Sequence, residues 1–113
     1  MIKRATALAA TLALAALLAA REVRADAAEN DLYDLLMAQQ SVSICHFAMS
    51  DDAAAKLEDT VVAYQKELDK SDADIDQLSE QASWQILRQR PKMCAPDGSW
   101  KKRYDQIVGD LGG

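Results

Sequence analysis

Cys45, Cys94 and His46 are the residues of this chain equipped for redox, nucleophilic or metal chemistry, and Asp72, Asp74 and Asp76 are spaced to gather around a hard cation. A redox-active dithiol needs a Cys-x-x-Cys arrangement, whereas these two sulfurs stand 49 residues apart. Their expected chemistry is a structural disulfide. His46 is the sole histidine, with neither a second ligand at helical spacing nor the Cys-x-x-Cys-His of a haem attachment. A structural or surface histidine is expected, with metal binding or proton sensing as the alternatives. The alternating aspartates invite a calcium loop, but the register fails. A loop opening at Asp69 puts Ala73 at the fifth position and Asp74 where glycine is needed; one opening at Asp72 puts Gln77 at the glycine and Ser83 at the twelfth. Asp72, Asp74 and Asp76 read instead as the acidic start of a helix, where the backbone dipole favours negative charge. No serine occupies a Gly-x-Ser-x-Gly elbow, and an oxidised Cys45 is no nucleophile, so neither catalysis nor a cofactor nor a metal is expected.

The disulfide requires an oxidising compartment, and the start of the chain supplies the address. Lys3 and Arg4 precede an uncharged stretch from Ala5 to Ala20, and Val23-Arg24-Ala25 offers small residues at the −3 and −1 positions of a cleavage site. Sixteen uncharged residues are short for a hydrocarbon layer of ~30 Å, so residues 1–25 are expected to be a cleaved export signal, with an uncleaved anchor as the alternative. Residues 26–113 then form one domain, periplasmic or secreted, with no membrane association after cleavage. An exported domain of this size with two cysteines normally pairs them, and closing the loop would stabilise by about 4 kcal/mol in the chain-entropy treatment.

Charge narrows the partners. Residues 26–113 carry 17 acidic against nine basic side chains, a balance unsuited to nucleic acid or anionic lipid, both of which need a cationic face. The acids concentrate between Asp26 and Glu80, and Gln81 to Gly113 is net basic. Oppositely charged helices lying side by side would explain this, as would a docking surface for another protein.

The elements that must carry these residues are helical. Leu32, Leu35, Leu36, Val42 and Cys45 line one face of a first helix over 29–47. Ser50 followed by Asp51 and Asp52 opens a second, with a stripe of Ala54, Leu57, Val61, Tyr64 and Leu68. Ser71 with Asp74 three residues on is an imperfect capping box, opening a third with a stripe of Ile75, Leu78, Ala82 and Ile86 that is expected to stop before Pro91. A turn at Ala95-Pro96-Asp97-Gly98 leads to a last helix capped by Ser99 and carrying Trp100, Tyr104, Ile107, Val108 and Leu111. No segment alternates as a strand does, so the fold class is all-α: a small up-down bundle of about four helices stapled by one disulfide. Short links put the ends of the first and third helices together, where Cys45 and Cys94 fall. Arg88, Arg90 and Lys92 are expected to complement the third helix's C-terminal dipole.

Trp84 lies off the third stripe, and Met37, Phe47 and Met49 cluster near the first cysteine. A second apolar face in such a bundle packs against another neighbour; the alternative is that Phe47, Met49 and Trp84 mark a binding surface.

In layout the chain resembles the small periplasmic acid-stress chaperones of the HdeA/HdeB type: an exported all-helical domain, one disulfide closing a long loop, and a charged last helix. Cys45-His46-Phe47 followed by Asp51-Asp52 is similar to the cysteine, aromatic and acidic pattern near that family's first cysteine. The resemblance implies a holdase that acid opens, exposing apolar surface to unfolded client proteins. From a different class comes the second expectation, an accessory subunit or inhibitor of another exported protein that presents Asp72, Asp74, Asp76 and their acidic surroundings. Both make the chain a non-enzymatic binder of other proteins, and neither fixes its oligomeric state.

Overall fold

The computed structural model describes residues 26–112, and the expected export signal at 1–25 lies outside them. The described residues contain no strand. They are helical at 26–45 (α1), Asp51–Glu67 (α2), Asp72–Arg88 (α3), Arg90–Met93 (α4) and Ser99–Asp110 (α5). None of these helices is long and apolar enough to cross a membrane.

Helix α1 is the hub. Leu35, Leu36, Met37 and Ala38 are all buried, and at about 100° per residue four consecutive positions sweep almost a full turn. Leu32 and Ser41 extend the burial above and below them. The other helices bury one narrow stripe each: Ala53, Leu57 and Val61 on α2, Ala82 and Ile86 on α3, Trp100, Tyr104 and Ile107 on α5. A helix apolar on most sides must be surrounded, and α2, α3 and α5 surround this one.

Cross-helix contacts give the directions. Tyr64 late in α2 donates to Asp31 of α1 over 3.3 Å, and Lys70, in the loop after α2, pairs with Glu29 at 3.3 Å. Trp100 at the start of α5 reaches Ser41, and Arg103 one turn on reaches Asp34. Helices α2 and α5 are therefore antiparallel to α1. Helix α3 runs with α1, and after the short α4 Cys94 is bridged to Cys45 at the end of α1, with their Cα atoms 5.1 Å apart. The up-down bundle and the single disulfide stand as the sequence predicts.

The ends of the helices explain where expectation and structure part. Helix α1 stops at Cys45, two residues early, because His46 adopts a left-handed conformation (φ 59°) that turns the chain. Ser50 caps α2, its hydroxyl accepting from the Ala53 amide at 3.1 Å, but the buried alanine is Ala53 and Ala54 is exposed. The α2 exit is a Schellman turn: the Lys70 amide reaches the Gln65 carbonyl (2.9 Å) and the Asp69 amide that of Lys66 (3.2 Å), with Asp69 in the left-handed region normally given to glycine (φ 52°). The Ser71 box is complete despite its aspartate, since the Ser71 amide donates to Asp74 (2.9 Å) and the Asp74 amide to the Ser71 hydroxyl (3.1 Å).

Helix α3 stops before Pro91 as expected, at Arg88, but helical structure resumes at Arg90. Pro91 sits in the first turn of α4, where the proline's missing N–H would have had no intrahelical partner. Ser99 is the first residue of α5 and Gly98 its cap, with no side chain capping it. A glycine fits closely there, because a Cβ would stand 3.0 Å from the Lys92 carbonyl oxygen and 3.2 Å from that of Ala95, so a larger residue would have to push this backbone back by a few tenths of an ångström. Arg90 attends a different dipole from the expected one: its guanidinium donates to the Ile44 carbonyl at 3.1 Å, at the C-terminal end of α1.

Candidate functional site

Two regions hold the side chains singled out in the sequence. The first is the layer between α5, α1 and the loop at 46–50. Phe47 is buried there, its ring 5.0 Å from that of Tyr104 and tilted by 56°, and Lys101 lies over both rings at 5.2 and 5.4 Å. Met49 is partly buried against the same cluster, and Met37 is fully inside it. Phe47 is thus a core residue, as a packed second face requires.

Polar contacts hold this layer in register. Ser41, at 0% exposure, donates its hydroxyl to the Met37 carbonyl and accepts from the Trp100 indole N–H, each at 2.8 Å. Tyr104 donates to the Ala48 carbonyl at 2.7 Å. Burial raises the pKa of Tyr104, with the Asp105 charge adding to it, so the phenol remains a donor throughout the neutral range. Arg103 reaches Asp34 through both Nε and a terminal nitrogen at 3.2 Å, on the exposed rim. A shallow groove opens beside this ion pair, between α1, α2 and α5, with Leu35 and Ile107 on its floor and Asp31, Asp34 and Asp110 around it. Tyr64 edges the groove, its pKa raised by burial and then by Asp31, to which it donates.

The second region is the outer face of α3. Trp84 is 54% exposed and Leu87 45%, so none of the described helices covers this second apolar face. The packing expected for Trp84 is absent because the apolar contacts of α3 with the core run along Ile75, Leu78, Ala82 and Ile86, with Trp84 about 160° around the helix from the last two. Tyr33, Gln81, Gln85 and Arg88 border the indole, and Tyr33 donates to Gln85. Burial raises the Tyr33 pKa, opposed by the Arg88 charge.

The aspartates are divided among local tasks. Asp72 accepts from the Gln65 amide at 2.7 Å, Asp74 completes its capping box, and Asp76 is exposed. Hydrogen bonds from the backbone and then the side chain of Ser71 hold the Asp74 carboxyl below its ordinary range. A pKa lowered by folding stabilises above the unfolded value, and that contribution fades as pH falls through the lowered one. No three His, Cys, Asp or Glu side chains among the described residues stand close enough to hold a metal ion. His46 is exposed beside the bridged Cys45.

Sequence reasoning missed Ser41, which looks like any helix-surface serine until Trp100 is placed opposite it, and Leu87, whose exposure depends on which face α3 turns inward. No protein-family model, curated protein or solved structure matches the chain.

Proposed function

We propose that this protein is a small exported, non-enzymatic binder of unfolded proteins, closed at neutral pH and opened by acid. The observation that carries the reading is the place of α5 relative to the covalent ring. The disulfide closes residues 45–94 into a loop containing α2, α3 and α4, while α5 continues beyond it, attached at one end. The inner face of α5, Trp100, Tyr104 and Ile107, joins Phe47 in an aromatic and aliphatic layer against the core. Across the α1–α5 contact the charged attachment is Arg103 to Asp34, a partly exposed pair that protonation of the carboxylate removes.

Acid acts on the whole surface as well. Protonating the 17 carboxylates of residues 26–113 leaves nine bases and His46, turning a net −8 into about +10 near the carboxylate pKa of ~4. Self-repulsion then favours separation of the least tethered helix, while the disulfide keeps the remainder from dispersing. Met49 and Trp84 would extend the apolar surface so presented.

The test is circular dichroism and apolar-dye binding of the oxidised protein from pH 7 to 2, with suppression of a client's aggregation followed in parallel. Opening that coincides with suppression supports the reading. A protein that stays closed, or opens without protecting the client, overturns it and leaves the accessory-subunit role, which predicts a stable complex at neutral pH weakened by salt.

A further inference from the structure

We infer that the outer face of α3 is a docking surface for a second copy of this chain, the two α3 helices lying antiparallel about a two-fold axis at Trp84. Among the described residues the face has no partner, with Trp84 and Leu87 at its centre, 54% and 45% exposed. Its charges identify the occupant. Glu80 and Arg88 stand four residues before and after Trp84, each about 6 Å along the helix and within about 40° of the indole's direction.

Both are exposed, and neither joins an ion pair among the described residues. In an antiparallel pair centred on Trp84, Glu80 of each copy faces Arg88 of the other, and the indoles meet on the axis. A single patch that is acidic on one side of an apolar centre and basic at equal distance on the other is self-complementary, as a two-fold interface must be. A parallel arrangement would set Glu80 against Glu80. Tryptophan at the middle with charges at the rim is also the distribution that concentrates binding energy in protein interfaces. The inference is independent of acid opening and is tested at neutral pH.

Sedimentation velocity of the oxidised protein from ~10 µM to ~1 mM should show concentration-dependent dimerisation. Trp84→Ser should abolish it without changing the helical circular dichroism, because the side chain points away from the core. Glu80→Arg leaves a face with two cations and Arg88→Glu one with two anions, so each alone should self-associate about tenfold more weakly. An equimolar mixture of the two variants should recover the dimer, since each then meets its opposite. Wild-type protein that remains monomeric throughout overturns the inference. So does a dimer unaffected by Trp84→Ser, or a mixture that associates no better than its components.

Discussion

Helices α1 and α3 run in the same direction, and the disulfide ties the end of α1 at Cys45 to Cys94, just past the short α4 that follows α3, yet one is enclosed and the other lies on the bundle like a plank. Helix α1 buries Leu32, Leu35, Leu36, Met37, Ala38 and Ser41; α3, 17 residues long, buries only Ala82 and Ile86. Helix α1 carries 11 apolar residues and α3 seven, and they are also distributed differently: those of α1 sweep around the helix and call for several neighbours, whereas those of α3 split into an inner stripe and an outer pair that none of the described residues covers. Stability therefore resides around α1, and α3 is held as much by its caps and the disulfide as by packing.

The largest test of that contrast is to remove the staple. Replacing both cysteines by serine should cost about 4 kcal/mol, read from urea unfolding followed by circular dichroism, which approaches the entire stability of so small a domain. A loss under about 1 kcal/mol would mean that α3 is held by its stripe alone. Leu36→Ala, at the centre of the hub, should cost about 2–5 kcal/mol through lost burial and the cavity left behind. Should Leu36→Ala cost less than about 1 kcal/mol, α1 would not be the hub described here.

Ser41→Ala sharpens the comparison on the polar side. It strands the Trp100 N–H in a buried setting and should cost about 1–3 kcal/mol, although it deletes a single oxygen. The smallest effect has the opposite sign. Asp69→Gly relieves the left-handed residue between α2 and α3 and should raise stability by about 0.5–1 kcal/mol, the left-handed strain less the extra freedom of glycine in the unfolded chain. A decrease would mean that the aspartate side chain makes up for its backbone.

Where the sequence was legible, the reason was redundancy between signals. Ser50 with two following acids, Ser71 with Asp74, and the meeting of two predicted helix ends at Cys45 and Cys94 each rest on more than one physical requirement. Ala53, Ala54 and Ala55 are three identical choices for one buried position, so the inner face of α2 could be misplaced by one residue. Pro91 forbids an amide donor but not a helix start, and only the break in helical geometry at Gln89 decides which applies. For Trp84 the limit is of another kind. An apolar residue off the main stripe is either packed or bare according to how many neighbours its helix acquires, and α3 acquires too few to cover it.

The two tryptophans occupy opposite extremes of this molecule, Trp100 buried with its N–H bonded to Ser41 and Trp84 largely in water. The chain thus contains its own paired fluorophores, one emitting from an apolar enclosure and one already shifted to the red. Lifting α5 would move only the first emission band, and covering α3 only the second, so a single spectrum distinguishes opening from association without any added label.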